Sequence, residues 1–143
     1  MERQSVQTLW LSLLTPTQTL LQTFQDAVNA YNGRDWATLE AMLDQYALLK
    51  TVADGDPPQF GRTNVRNYLE ADANRDNPTF TPDNNSNVVV PHHVDHRFGY
   101  ITGTADWVDK NGKGPIHFSF TFINRGPANA PGWKLFVLWS SVD

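Results

Sequence analysis

The sequence contains no cysteine. Disulfides and thiolate catalysis are therefore excluded, and the redox compartment is left open. Charge of either sign is modest. Charged residues make up 18% of the chain, the net charge is −4, and Lys and Arg are scattered. A nucleic-acid footprint needs a basic stripe, so no nucleic-acid partner is expected. Long apolar runs are also missing. Residues 9–14 are apolar but far shorter than the ~20 residues of a membrane span. Glu2 beside Arg3, with no small-residue cleavage site after the run, makes a poor signal peptide. The expectation is a soluble, cytoplasmic protein without membrane contact. No Gly-rich phosphate loop, no GxSxG elbow and no Ser-His-Asp spacing is present, and no cofactor is expected. Internal repeats and low-complexity tracts are absent.

What remains is an ordinary globular composition of 143 residues, 40% hydrophobic, enough for one domain with a real core. Residues 1–14 read as an N-terminal extension and residues 15–143 as a single domain. Thr15, Pro16 and Gln18 form a helix start with a capping box. Leu20, Phe24, Ala27, Val28 and Tyr31 then recur at helical spacing, and Asn32-Gly33 ends the helix. Asp35 caps a second helix with the stripe Trp36, Leu39, Leu43 and Tyr46. A short strand is expected over residues 47–53, followed by a turn at Asp54-Gly55 and Pro57-Pro58. Thr63 caps a third helix, with Val65, Tyr68 and Leu69 inward. Residues 74–87, rich in Asn, Asp and Pro, read as a loop, and a strand follows near residues 88–90.

The last third carries three strand patterns. Phe118, Phe120 and Phe122 alternate with His117, Ser119 and Thr121, a period of two. Ile101, Ala105 and Trp107 share one parity of the preceding strand. Asn111-Gly112 between them predicts a type I′ hairpin turn. Lys110 would then pair with Lys113, Trp107 with Ile116, Ala105 with Phe118, Gly103 with Phe120 and Ile101 with Phe122. The opposite face would pair Thr104 with Ser119 and Asp106 with His117. Residues 133–141 are apolar on both parities, so both faces of that strand should be covered. A second copy of the chain is the expected cover for the outer face, giving a homodimer through the sheet; the alternative is burial within one subunit. Helices followed by a run of antiparallel strands give an α+β fold, helices gathered on one face of the sheet.

The stretches AVNAYNGRDWATLEAMLD, ADGDPPQFGRTNVRNYL, DWVDKNGKGPIHFSFTFI and GWKLFVLWSS resemble the nuclear transport factor 2-like superfamily, and within it the small bacterial SnoaL-like proteins. The resemblance spans roughly residues 17–141. It implies a conical fold: three helices on one face of a strongly bent antiparallel sheet, with a mouth that holds a small apolar or aromatic molecule, and frequent dimerisation through the sheet. It does not imply one chemistry, because the superfamily includes isomerases, cyclases, dehydratases, hydrolases and non-enzymatic association domains. The isomerases carry a catalytic Asp just before the turn preceding the third helix. They also place a Tyr on helix one. Here residues 49–53 offer no carboxylate until Asp54, and Tyr31 lies too near the helix end to be that Tyr's equivalent, so the isomerase role does not carry over.

Two clusters are candidates for chemistry. Asp106 and His117, as cross-strand neighbours with Cβ atoms ~5 Å apart, would let a carboxylate orient a histidine base. The competing reading is a polar pair on the outer sheet face. His92, His93, Asp95 and His96 suggest metal ligation. In extended chain, however, His92 and His96 stand ~13 Å apart, too far to share an ion, and no third ligand accompanies His93 and Asp95, so no metal is expected. Tyr31, Tyr46, Trp107, Phe118, Phe120 and Trp139 are the expected walls of an apolar ligand pocket, against plain core packing. Three functions stay open: a dimeric small-ligand-binding domain, an enzyme of the cyclase, isomerase or dehydratase kind using a general base, and a non-catalytic dimerisation module.

Overall fold

A computed structural model describes residues 15–51, 56–84, 86–90, 97–127 and 130–142. The expected N-terminal extension, Asp54 and the His92–His96 cluster lie outside the described residues. Among the described residues, three helices and seven strands follow one another. They are α1 (Pro16–Asn32), α2 (Trp36–Met42), β1 (Leu43–Thr51), β2 (Gln59–Phe60), α3 (Arg62–Asp76), β3 (Thr79–Pro82), β4 (Asn87–Val89), β5 (Phe98–Asp109), β6 (Gly112–Asn124) and β7 (Trp133–Val142). No helix among the described residues is long and apolar enough to cross a membrane.

The helix starts follow from capping. Thr15 Oγ1 accepts from the Gln18 amide at 3.1 Å, and Gln18 Oε1 accepts from the Thr15 amide at 2.8 Å, so two otherwise orphaned donors are satisfied. Asp35 caps α2 through the Thr38 amide and hydroxyl. The expected Thr63 cap is not used: α3 begins at Arg62 behind Gly61, whose φ of 90° only glycine adopts without strain. After α1 the left-handed residue is Arg34, at φ 59°, not Gly33. Its guanidinium compensates by donating to the carbonyls of Tyr31 at 3.0 Å and Pro78 at 2.6 Å.

The sheet order is β2-β1-β7-β6-β5-β3, with β4 also on β5. Every pair is antiparallel except β1 with β7, which is parallel, so the sheet is mixed where an antiparallel one was expected. All three helices lie against its inner face. The core there comprises Leu20, Phe24 and Ala27 of α1, Leu39 of α2, Val65 of α3, and Ile101, Ala105, Ile116, Phe118, Phe122, Leu135 and Leu138 of the sheet.

Three local expectations are corrected. The second helix stops at Met42, and Leu43 opens β1, because Leu43 and residues 48–51 pair with β7. Tyr46 therefore sits on a strand and is 67% exposed. Part of the expected 74–87 loop is β3, paired along the far edge of β5. The hairpin register is displaced by two residues: Asp109 pairs with Gly112, Trp107 with Gly114, Ala105 with Ile116, Gly103 with Phe118 and Ile101 with Phe120. The turn residues are Lys110-Asn111, held by Asp109 Oδ1 accepting from the Asn111 amide at 2.8 Å. A two-residue displacement leaves every side chain on its face, so the apolar face survives while the partners change.

Candidate functional site

The helices do not fill the concave side of the sheet. Between them lies a cavity of about 110 Å³. α1 contributes Phe24, Val28 and Tyr31, α3 contributes Tyr68, Leu69 and Asp72, and the sheet contributes Leu49, Phe80, Trp107, Ile116, Phe120 and Leu138. The α3 residues stand on one helical face, continuing the inward stripe from Val65. A bulge in β7 between Leu135 and Val137 breaks the period of two, so Leu135 and Leu138 both reach the core.

Aromatic contacts fix the walls. Phe24 stacks on Phe118 with centroids 5.6 Å apart, and Phe80 lies 6.2 Å from Phe120 at 26°. The Tyr31 ring meets Trp36 edge-on at 5.9 Å and Trp107 at 6.4 Å. Trp107 is oriented in turn by its indole N–H, which donates to Asp109 Oδ2 at 2.9 Å.

The polar groups in this wall are few. Tyr31 is 9% exposed, and its buried hydroxyl has no hydrogen-bond partner among the described residues. Burial, with the Asp72 charge second, pushes its pKa well above the ordinary value, so the hydroxyl keeps its proton. The Tyr68 hydroxyl donates to Asp56 Oδ2 at 2.7 Å. Burial, and then that bond to a carboxylate, push it up to about 12. Asp72 is mostly buried and pairs with Arg75 one turn on. Thr51 and Ser140 complete the polar lining.

Of the expected pocket residues, Tyr31, Trp107 and Phe120 line this cavity. Phe118 is buried directly behind it, against Phe24 and Phe80. Tyr46 and Trp139 do not reach it: Tyr46 is exposed on β1, and Trp139, 37% exposed, pairs with Ser119 and Lys50 on the outer face. The Asp106–His117 pair is likewise corrected. Asp106 stands opposite Pro115 and His117 opposite Thr104 and Ser141. Both are on the outer face, and Asp106 instead meets Lys113 Nζ at 3.8 Å. Among the described residues no cluster of three potential metal ligands occurs. Tyr68 is an inward residue expected on the third helix, whereas Asp72 and Phe80 are not among the expected site residues. The spacing 65, 68, 69, 72 marks Asp72 as inward-facing, and Phe80 falls in a segment that reads as loop.

No family model matches the sequence, and no curated protein matches it. Solved structures do share its shape. A candidate calcium/calmodulin-dependent protein kinase II association domain from Xanthomonas campestris is 16% identical, with a TM-score of 0.69 over 88% of this chain and 86% of its own. A protein of unknown function with a cystatin-like fold from Nostoc punctiforme is 12% identical, with a TM-score of 0.69 over 91% and 94%. A candidate dehydratase of the NTF2-like family from Streptomyces avermitilis is 17% identical, with a TM-score of 0.67 over 87% and 93%. The fold is thus the α+β cone of NTF2-like, cystatin-like-fold proteins. At these identities the likeness carries shape and not activity.

Proposed function

We propose that the chain is a small-molecule-binding cone-fold domain that takes an apolar ligand between the helices and the concave face of the sheet. The observation that carries this reading is the aromatic-lined cavity with a buried, unpartnered hydroxyl in its wall. Ligand sites are concave and largely apolar, with a few polar groups that set orientation. A shift-mapping titration with toluene tests it. Amides of Phe24, Trp107, Phe120 and Leu138 should move, and those of outer-face Thr102 and Ser119 should not. No shift at millimolar toluene sinks the reading.

A second reading is catalysis of the cyclase, isomerase or dehydratase kind. One observation favours it: Asp72 places a carboxylate in the cavity wall, near two tyrosines that hold their protons, where a general base could work on a bound ligand. The candidate dehydratase among the structural relatives makes a dehydration assay the first to run, with Asp72→Asn as the control expected to abolish turnover. A dehydration rate that Asp72→Asn leaves unchanged would remove Asp72 from the chemistry.

We also propose self-association through the outer sheet face. Phe60, Leu48, Val137, Thr121, Tyr100 and Val89 form one row of directly paired positions across that face. Phe60, Tyr100 and Val89 in it are exposed. Such a row supports association with a second copy, as does the association-domain relative. Sedimentation at micromolar concentration should give a dimer that Val137→Lys splits. A wild-type monomer overturns the proposal.

A further inference from the structure

Within the small-molecule reading, on which this inference rests, we propose that the cavity selects a neutral, single-ring molecule bearing one hydrogen-bond acceptor, held by the Tyr31 hydroxyl as donor. Four observations converge on that chemistry.

The first is the hydroxyl itself. Buried side-chain polar atoms almost always have a partner, and one without needs a reason. Tyr31 cannot turn its hydroxyl to solvent, because Trp36 and Trp107 bracket the ring and it continues the α1 stripe that packs on the sheet. A ligand acceptor would remove the penalty of an unmet donor. The second is the direction of the bond. Burial and the nearby Asp72 charge keep the phenol protonated, so the group offers a proton and not an oxyanion.

The third is charge. Among the described residues, the lining contains Asp72 as its charged residue and no Lys, Arg or His. An anionic ligand would be desolvated beside a carboxylate with no lining cation to meet it. The fourth is size and shape. At about 110 Å³ the space is of the order that accepts one benzene ring, since an apolar cavity of ~150 Å³ binds benzene. Phe24, Phe80, Trp107 and Phe120 give it aromatic walls suited to a planar guest.

The test compares three probes of nearly the same outline by protein-observed NMR titration. Acetophenone is a neutral ring with one acceptor, α-methylstyrene is its isostere without the acceptor, and benzoate is the anion. The wild type should bind acetophenone roughly three- to tenfold more tightly than α-methylstyrene, the range of one net hydrogen bond, and benzoate most weakly. Tyr31→Phe keeps the ring and removes the donor. In that variant the preference for acetophenone should vanish while α-methylstyrene binding stays level. Equal binding of acetophenone and α-methylstyrene by the wild type, tightest binding of benzoate, or a preference that survives Tyr31→Phe each overturns the inference and leaves the small-molecule reading standing. Silence with all three probes overturns both. The probe comparison in the wild type stands even if the variant folds poorly.

Discussion

The carboxylate of Asp44, 2% exposed, is held by one edge of the Arg125 guanidinium: Nε donates to Oδ1 at 2.7 Å and Nη2 to Oδ2 at 3.0 Å. The pair joins the first residues of β1 to the segment leaving β6, 81 positions apart in sequence. The Tyr46 amide adds a third donor at 3.0 Å. The Arg125 bonds, above all, hold the Asp44 carboxyl below its ordinary value of 3.8, against the opposing effect of burial.

Arg125→Met should therefore strand a buried carboxylate. Breaking a fully buried pair costs ~3–5 kcal/mol. Arg125 is half-exposed, so the expected loss is smaller than that. The sign with pH follows from the lowered pKa. The contribution is complete above the unfolded value of 3.8 and is lost as pH falls through the lower folded value. Thermal melts should show the widest gap between wild type and variant near neutrality, closing below about pH 4. A gap that stays constant down to pH 2.5 would mean the pair contributes nothing through ionisation.

Asn32 plays the part of a missing strand. Its Nδ2 donates to the Phe80 carbonyl at 2.8 Å, and its Oδ1 accepts from the Phe80 amide at 3.0 Å. β3 is the last strand of the sheet path, and an unpaired edge leaves such groups open. Asn32→Ala should lower stability by about 2 kcal/mol in denaturant unfolding, since both bonds go and Phe80 is buried. Asn32→Asp should be as damaging at pH 7, because a carboxylate accepts but cannot donate, and should partly recover when the acid is protonated. Wild-type stability in Asn32→Ala would show that water replaces the amide at no cost.

His117→Ala and Asp106→Asn should leave acetophenone affinity within twofold of wild type. Both residues stand on the face of the sheet turned away from the cavity, and surface changes of this kind rarely exceed 0.5 kcal/mol. A loss greater than fivefold in either variant would place a ligand on the outer face and reverse the assignment of the site.

These two residues also show where sequence reasoning reaches its limit. The alternation of Phe118, Phe120 and Phe122 with His117, Ser119 and Thr121 was enough to separate the two faces of β6, and a period of two is insensitive to a two-residue slide. The slide puts the turn at Lys110-Asn111, where Asp109 accepts from the Asn111 amide and the Asp76 carbonyl accepts from the Lys110 amide, while Gly112 absorbs a φ of 141°. The change from α2 to β1 at Leu43 is non-local. Trp36, Leu39, Leu43 and Tyr46 fit a helix, but pairing with β7 prevails. That reversal took Tyr46 out of the pocket. Tyr31, Trp107 and Phe120 were legible as inward residues because each lies on an unambiguous apolar face.

Leu20 and Gly99 set how closely α1 approaches the sheet. A Cβ at Gly99 would stand 2.4 Å from Leu20 Cδ2 and 3.4 Å from its Cγ. Leu20 is fully buried, so its side chain has little room to withdraw. Gly99→Ala should therefore cost about 1–3 kcal/mol through overpacking, more than the ~0.5–1 kcal/mol that alanine gains over glycine within a strand. Leu20→Ala alone should cost about 3 kcal/mol as a cavity. In the double variant the added Cβ enters that cavity, so the two costs should fall short of their sum by more than 1 kcal/mol. Strict additivity would mean that α1 shifts as a rigid unit to accept the methyl. A neutral Gly99→Ala would mean that glycine is not required for this contact.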